Sequence, residues 1–244
     1  MSDRVTVLGV GFDNLTFTDA VETAYSMIKH ERAHTIVTPN SEIVYAARKN
    51  PGLTDALNRA DLVVADGIGV VYASRFYKTP VKCKIAGIEL GEALLKKLSA
   101  TGESVFLLGS KPGVAELAAK NLCGKYPGLS IAGTHHGYFE DDDSIVELIN
   151  KSGARVVFVC LGAPKQELWM TRYAPRLNAR LLLGLGGSLD AYAGISKRAP
   201  EIWIKLGLEW FYRLVKQPTR IGRMLALPKF LFAAMVDAAK RGKV

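Results

Sequence analysis

The 244-residue sequence lacks several features that define other classes of protein. It has no uninterrupted apolar run of about 18 residues, the length that a membrane-spanning helix needs. Its three cysteines, Cys83, Cys123 and Cys160, show neither metal-type spacing nor the even number of a disulfide framework, which favours a reducing cytoplasm. The first residues also lack the long apolar stretch of a signal peptide, so we expect no export.

Residues 1–195 have little net charge, because residues 196–244 hold 11 Lys and Arg against 3 Asp and Glu, or +8 of the chain's +9. The same segment is rich in large apolar residues, namely Trp203, Trp210, Phe211, Tyr212, Phe230, Leu231 and Phe232. Basic segments with bulky apolar side chains bind anionic membranes. We therefore expect a core domain at 1–195 and a basic, amphipathic C-terminal appendage at 196–244 that associates with a membrane surface.

Short runs rich in β-branched residues alternate with helix-length amphipathic segments in the first 195 residues. The predicted strands are 4–8, 34–37, 62–65, 104–108, 129–134, 155–161 and 181–185. The clearest predicted helices are 19–29, 87–98, 114–126, 144–151 and 165–173. This alternation is typical of βαβ units, and it predicts an α/β fold with a Rossmann-like, mainly parallel sheet and helices on both faces.

The appendage should be helical. Pro200 suits the first turn of a helix, and one apolar stripe would then contain Trp203, Leu206, Trp210, Phe211 and Leu214. Pro218 should end this helix. A second helix is expected from about Thr219, with another break near Pro228.

Polar residues follow the second and third predicted strands, where ligands of open α/β sheets bind. Thr38 and Asn40 could hold a polar ligand, although Asn40 or Ser41 suits the cap of a following helix equally well. Asp66 is a single carboxylate at a strand end and is suited to general-base work on an attacking hydroxyl. Its alternative role is to cap a helix that begins near Gly69.

Three later strands end in turns that should lie on the same edge. Gly109 and Lys111 occur in a turn that leads into a helix, which suits an anion site or a tight turn with a surface lysine. Gln166 follows a distinctive Gly-Ala-Pro-Lys string, and Gly187 belongs to a glycine-rich turn after the last strand. Five polar or glycine-rich turns on one edge predict one extended site.

Three other signals are discounted. Gly9 and Gly11 follow the first predicted strand, but Asn14 occupies the third glycine position of a dinucleotide-binding fingerprint. The acidic run at 140–143 precedes a predicted helix, where acidic side chains favour the positive helix end, so we interpret it as a solvated helix start. The histidine pair at 135–136 lacks partners at metal-ligand spacing, and we interpret it as structural.

The sequence resembles the WecG/TagA/CpsF family of bacterial glycosyltransferases over nearly its whole length. The matching strings are TPNSE at 38–42, ADGIGVVYASR at 65–75, AGIEL at 86–90, LLGSKPGVAE at 107–116, CLGAPKQELW at 160–169, GLGGSLDAYAG with KRAP at 184–200, GLEWFYRL at 207–214 and QPTRIGRM at 217–224. The resemblance to TagA-type members implies inverting, metal-independent transfer of N-acetylmannosamine from UDP-N-acetylmannosamine to undecaprenyl-diphosphate-linked N-acetylglucosamine. That step commits the lipid to the wall teichoic acid linkage unit. No metal and no cofactor are implied, since the UDP-sugar is a substrate.

The resemblance also implies roles for single residues. Asp66 matches the general base of the family, and Thr38 and Asn40 match positions that line the pocket beside it. Gln166 matches a glutamine that contacts substrate. Three tail residues match arginines that reach the active site, namely Arg213, Arg220 and Arg223.

Lys84 stands where many relatives have an arginine that contacts phosphate. Lysine keeps the charge but lacks the planar fork that binds a diphosphate through two parallel bonds. A transfer without a metal needs cations, backbone NH groups or helix ends at the leaving diphosphate. Arginine binds phosphate in that bidentate way, and the tail contains Arg213, Arg220 and Arg223. We therefore expect the tail both to bind the membrane and to complete the site.

Alternatives within and outside the family stay open. The donor could carry N-acetylmannosamine uronic acid or another hexose, for a surface polysaccharide or exopolysaccharide. Asn14 disfavours an oxidoreductase of Rossmann type. A nucleic-acid-binding protein is disfavoured because the aromatic residues of the appendage are spaced as on an amphipathic helix, which favours contact with lipid or protein. We expect no nucleic-acid partner, a peripheral location on the inner face of the bacterial membrane, and an exposed apolar stripe compatible with a homo-oligomer.

Overall fold

The computed structural model describes residues 4–196, 200, 203, 212 and 226–242. The strands in these residues are β1 (Arg4–Val7), β2 (Val10–Asp13), β3 (His34–Val37), β4 (Leu62–Val63), β5 (Ser104–Gly109), β6 (Ser130–His135), β7 (Val156–Cys160) and β8 (Leu181–Gly184). The helices are α1 (Phe17–Met27), α2 (Ser41–Ala47), α3 (Pro51–Arg59), α4 (Ile68–Phe76), α5 (Gly87–Thr101), α6 (Val114–Lys125), α7 (Asp142–Ser152), α8 (Lys165–Tyr173), α9 (Ser188–Tyr192) and α10 (Ala226–Arg241). A 3₁₀ turn follows α8 at Ala174–Arg176.

Six strands form one parallel sheet in the order β4-β3-β8-β7-β5-β6. The central strands β7 and β8 are buried along their whole length, as their continuous apolar runs require in a sheet that is covered on both faces. The predicted parallel sheet is therefore confirmed. Because all six strands point the same way, their carboxyl ends lie on one edge.

Helices cover both faces of the sheet, as the alternating pattern predicts. One face packs against α2, α3, α7 and α8, with Leu57 and Trp169 among the buried side chains. The other face packs against α1, α5, α6 and α9, with Leu94 among them. Successive residues of β7 alternate between the two clusters: Val157 faces the first and Phe158 the second.

The predicted strand at 4–8 is present as β1, but it lies outside the parallel sheet. β1 pairs antiparallel with β2 in a separate two-stranded sheet. Leu8 and Gly9 connect them with φ of 49° and 87°, and two positive φ values are what a type I′ hairpin turn requires. The hairpin covers the edge strand β4, because Asp13 Oδ2 accepts a hydrogen bond from Val63 N at 2.8 Å. An edge strand shielded in this way cannot pair with another chain.

The C-terminal helix α10 packs against α2 and α4. Phe230 and Ala234 are completely buried in the adjoining core cluster. Pro228 lies inside this helix and does not mark the predicted break. A proline is tolerated in a first turn because the amide there has no partner within the helix. Nowhere in the described ranges is a helix long and apolar enough to cross a membrane.

Contacts at both ends show the direction of α10. Near its start, a Cβ placed on Gly69 would lie 2.6 Å from Leu227 Cδ1, so Leu227 fits against the first turn of α4. Near its end, Tyr77 Oη donates to Asp237 Oδ2 at 2.8 Å and accepts from Leu8 N at 3.3 Å. Burial and the bond to Asp237 raise the pKa of Tyr77 to about 12. α10 therefore runs parallel to α4, from the carboxyl edge of the sheet to the hairpin turn.

Candidate active site

The turns after β3, β4, β5, β7 and β8 meet at the carboxyl edge of the sheet, because these strands are parallel and adjacent. From β4 to β5 there are four strand spacings, which makes this part of the edge about 19 Å wide. Such a width allows two substrates to lie side by side.

Asp66 lies just beyond β4 and is partly exposed. Its backbone N donates to Pro39 O at 3.3 Å, so the turns after β3 and β4 are joined. Gly67, with φ of 110°, is the N-cap of α4, and as a glycine it makes no side-chain cap bond to that helix. The alternative in which Asp66 caps the helix is therefore not what the structure shows.

Asn40 is the N-cap of α2. Its Oδ1 accepts from Glu42 N at 2.9 Å and from Ile43 N at 3.1 Å, so the capping interpretation is observed. A Cβ on Gly67 would lie 3.9 Å from Asn40 Cβ, which places this cap directly beside the Asp66 turn. A ligand contact through the Asn40 side chain stays a prediction.

Thr38 is a buried hydroxyl that joins three elements. Its Oγ1 donates to Gly184 O, at the end of β8, over 3.0 Å. On its other side it packs so closely against the start of α5 that a Cβ on Gly87 would lie 2.8 Å from Thr38 Oγ1. The side chain thus fixes β3, β8 and α5 relative to one another at the edge of the sheet.

Lys84 approaches the same edge from the loop before α5 and is partly exposed. The next residue, Ile85, donates its N to Ala65 O at 2.9 Å, so the loop runs alongside the residue that precedes Asp66. Lys84 is therefore a cation on the loop that runs beside Asp66. Its contact with phosphate stays a prediction.

Gly109 ends β5 in a position that only glycine can occupy. Its φ is 137°, and a Cβ there would lie 2.2 Å from Cys160 O. Ser110 follows with φ of 58°, and its Oγ donates to Asp190 Oδ1 at 2.6 Å. Lys111 is exposed in the turn before α6, which is compatible both with an anion site and with a tight turn that carries a surface lysine.

A cavity of about 460 Å³ lies beyond the ends of β5, β6 and β7. Its lining residues are Ser110, Gly137, Tyr138, Phe139, Glu140, Cys160, Leu161 and Lys165. Lys165 Nζ donates to Gly137 O at 2.9 Å and lies 4.4 Å from the centre of the Phe139 ring, so the loop after β6 forms one wall. Lys165 belongs to the distinctive Gly-Ala-Pro-Lys string, although it is not among the predicted site residues.

Gln166 is 2% exposed and uses both ends of its amide within the protein. Its Nε2 donates to Glu167 Oε1 at 2.8 Å, and its Oε1 accepts from Gly186 N at 2.9 Å. It therefore holds the glycine-rich turn after β8, in which Gly187 is exposed and is the N-cap of α9. Contact of Gln166 and Gly187 with substrate stays a prediction.

The discounted signals have the structural roles expected of them. Asp141 is the N-cap of α7, and its Oδ1 accepts from Asp143 N at 3.0 Å, so the acidic run is a helix start. His136 Nδ1 accepts from Tyr138 N at 3.2 Å in a local turn. Across the part of the chain that the structure describes, no three His, Cys, Asp or Glu side chains are grouped as metal ligands. Cys160 is buried, and burial raises its pKa to about 12, which disfavours the thiolate.

Arg213, Arg220 and Arg223 lie outside the described residues, as does most of the stripe predicted from 203 to 214. Trp203 and Tyr212 are described, and their ring centroids are 5.9 Å apart. The roles of the three arginines stay predictions.

Known proteins match this chain along nearly its whole length. The model of the family described as "Glycosyl transferase WecG/TagA/CpsF family" matches residues 5–244. The N-acetylglucosaminyldiphosphoundecaprenol N-acetyl-beta-D-mannosaminyltransferases of Staphylococcus aureus strains MRSA252 and MW2 are each 39% identical over 241 residues, which cover 98% of this chain and 94% of theirs. The resemblance found in the motifs is thereby confirmed. This chain is a glycosyltransferase and belongs to the WecG/TagA/CpsF family.

Proposed function

We propose that this protein transfers N-acetylmannosamine from UDP-N-acetylmannosamine to undecaprenyl-diphosphate-linked N-acetylglucosamine, with inversion and without a metal. The names of the two relatives, which cover nearly the whole chain, support the sugar and the acceptor. The structural observation that carries the proposal is the position of Asp66 at the end of β4, joined to the turn that holds Thr38 and Asn40.

Asp66 is the general base of this proposal. In an inverting transfer, the acceptor hydroxyl oxygen bonds to the anomeric carbon while the oxygen of UDP leaves from the opposite side. The hydroxyl proton passes to the Asp66 carboxylate, which contributes a factor of about 10²–10⁴ in rate. Support comes from the position of Asp66 just beyond β4, where the residue is partly exposed.

The negative charge that develops on UDP needs cations or NH groups held in place before the reaction. Among the described residues, Lys84 stands on the loop beside Asp66, and Lys111 and Lys165 stand at the turns after β5 and β7. The cavity bounded by Phe139 and Lys165 suits the uridine diphosphate end of the donor, with the sugar directed along the edge toward Asp66.

The tail arginines complete this site in our proposal. Ser196 N donates to Asp190 O at 2.9 Å, and Leu227 fits against Gly69, so Ser196 and Leu227 both lie at the carboxyl edge. Three residues of chain span at most about 11 Å, which allows Arg223 to reach that edge from Ala226. Replacement of Arg213, Arg220 and Arg223 singly by glutamine should lower turnover of a lipid-free acceptor analogue. Unchanged turnover in all three would refute this part.

The outer face of α10 supports attachment to an anionic membrane. Phe232 is 65% exposed and Met235 47%, and Lys229, Lys240 and Arg241 are exposed on the same helix. These cations line a groove of about 580 Å³ together with Phe232 and Val236. Each cation near an anionic leaflet contributes about 1 kcal/mol to binding. Truncation after Gly194 should release the protein from anionic vesicles, and undiminished co-sedimentation would place the attachment elsewhere.

A panel of UDP-sugars tests the reaction itself. Purified protein is incubated with lipid-linked N-acetylglucosamine and each donor in turn, and released UDP is measured. We expect turnover with UDP-N-acetylmannosamine and its loss in Asp66→Asn. UDP release with a different donor only would replace the sugar assignment, whereas full activity of Asp66→Asn would remove the base.

A further inference from the structure

Glu167 is a buried carboxyl group that the reaction proposed above does not use. It is 1% exposed, in the first turn of α8 behind the carboxyl edge. Its Oε1 accepts from Gln166 Nε2 at 2.8 Å, and its Oε2 is buried with no hydrogen-bond partner among the described residues. A buried polar atom without a partner is uncommon in folded proteins and calls for an explanation.

The surroundings of Glu167 favour the neutral acid. Burial is the largest influence on this group, and it raises the pKa of Glu167 above its usual value. The one side-chain hydrogen bond to it within the described residues comes from the uncharged amide of Gln166. Within the described part of the chain an ionised carboxylate would therefore have no counter-charge, whereas the neutral acid keeps its carbonyl oxygen as the acceptor for Gln166.

The bond from Gln166 to Glu167 decides which way the Gln166 amide points. With its NH₂ donated to Glu167, the carbonyl oxygen of Gln166 faces Gly186 N and accepts from it at 2.9 Å. The reversed amide would set its NH₂ against the Gly186 NH and leave two donors facing each other. Glu167 thus selects the orientation of the Gln166 amide in which its oxygen can accept from Gly186 N and hold the turn after β8.

That turn is also held from the other side of the sheet. Thr38 Oγ1 donates to Gly184 O at 3.0 Å. Gly184 itself is in close contact with α8, because a Cβ placed on it would lie 3.2 Å from Gln166 Nε2. The segment from Gly184 to Gly187 is therefore fixed by Thr38 at its start and by Gln166 two residues later.

We propose that Glu167 is a positioning residue, whose carboxyl oxygen orients the Gln166 amide by accepting its hydrogen bond and thereby fixes the Gly186–Gly187 turn that faces the sugar-nucleotide donor. The identity of this donor rests on the proposed function, whereas the chain of contacts from Glu167 to Gly186 does not. Loss of the acceptor at Glu167 should loosen the turn and weaken productive binding of the donor, while the sheet and its base remain.

Two variants of nearly equal size separate the acceptor from the volume it fills. Glu167→Gln keeps a carbonyl acceptor and no charge, whereas Glu167→Met fills the space with an apolar chain and offers no acceptor. With UDP-N-acetylmannosamine and a lipid-linked acceptor, Glu167→Gln should stay within about threefold of the parent in kcat/KM. Glu167→Met should lose about tenfold or more, chiefly through a higher donor KM. Equal losses in both variants, or none in Glu167→Met, would overturn the proposal.

Amide hydrogen exchange gives a readout that needs no donor. Exchange of Gly186 N should be about tenfold or more faster in Glu167→Met and unchanged in Glu167→Gln. Unchanged protection of Gly186 in a folded Glu167→Met would refute the contact chain even if the donor were another sugar. If no UDP-sugar is turned over but Gly186 loosens as expected, the proposed function fails and the positioning role stands.

Carbon-13 NMR of the carboxyl groups tests the burial of Glu167 without relying on Glu167→Met to fold. In the unmodified protein, one glutamate carboxyl signal should titrate with a pKa above the usual range, and this signal should be absent from Glu167→Gln. If no signal with a raised pKa disappeared in Glu167→Gln, the buried contact between Glu167 and Gln166 would be wrong and the proposal would be overturned.

Discussion

Phe230 should hold α10 on the core, so its truncation should release this helix and leave the α/β domain folded. Phe230 is completely buried where α10 packs on α2 and α4. Replacement of a buried phenylalanine by alanine costs about 3–5 kcal/mol, from lost apolar burial and from the cavity that remains.

The polar contacts of α10 cannot compensate for that loss. The bond from Tyr77 to Asp237 contributes about 1 kcal/mol. The ion pair between Arg241 and Asp237, at 3.0 Å and half-exposed, adds about 0–1 kcal/mol. In proteins most of the stability of a helix comes from the packing of its apolar face, which α10 would lose with Phe230. Phe230→Ala should therefore expose the amides of α10 to rapid hydrogen exchange and make 226–242 sensitive to protease.

Phe232 provides the matched control, since it carries the same side chain two residues later and is 65% exposed. Phe232→Ala should leave exchange in α10 and the melting temperature unchanged. It should weaken binding to anionic vesicles instead, by about tenfold if the ring is buried in lipid. Equal exchange in the two variants would refute the docking argument, and equal vesicle binding by Phe232→Ala and the parent would refute the lipid-facing surface.

Three further predictions follow from single positions. Asp66→Asn should lower kcat by about 10²–10⁴ at an unchanged melting temperature, and a loss below about tenfold would remove it as the base. Gly109→Ala should lower the free energy of unfolding by about 2–4 kcal/mol, because its Cβ would lie 2.2 Å from Cys160 O. Gly102 also has a positive φ but has open space around it, so Gly102→Ala should lower the free energy of unfolding by only about 1 kcal/mol. Equal losses in thermal unfolding would contradict this prediction. Burial lowers the pKa of His34, so the folded protein favours the neutral imidazole. The contribution of His34 to the free energy of unfolding is therefore complete above about pH 6.5 and is lost as the pH falls through the lowered pKa. Between about pH 8 and 5 the melting temperature should therefore fall less in His34→Gln than in the parent, and parallel curves would contradict the assignment.

The parallel sheet could be predicted because its strands are buried on both faces. All five residues of β7 are buried, and such continuous apolar runs between helical segments are typical of parallel strands. β1 instead alternates exposed and buried residues, as in a strand with one solvated face, and Gly9 marks the hairpin turn. That signal was available in the sequence. The position of β8 between β3 and β7 could not be predicted from the sequence, because strand order depends on how the connecting helices cross the sheet.

The site could be predicted only as far as residue type indicates a role. Asn40 suits a cap and a ligand equally, and the structure shows the cap because Oδ1 lies within reach of two backbone amides. The pair formed by Ser110 and Asp190 could not be predicted, since the two residues are 80 positions apart and meet only through the neighbouring strands. Glu167 was overlooked because a glutamate in the first turn of a helix is usually solvated.

Gly69 shows how the C-terminal helix and the catalytic edge depend on each other. A glycine has no side chain, so other groups can approach its backbone closely. In the structure the close neighbours are protein atoms: a Cβ there would lie 2.2 Å from Ser41 Oγ and 2.6 Å from Leu227 Cδ1. The first turns of α2, α4 and α10 can meet at this point only because the side chain is absent. Since α2 begins at the Asn40 cap and α4 at the Asp66 turn, the packing that seats α10 also sets the shape of that turn.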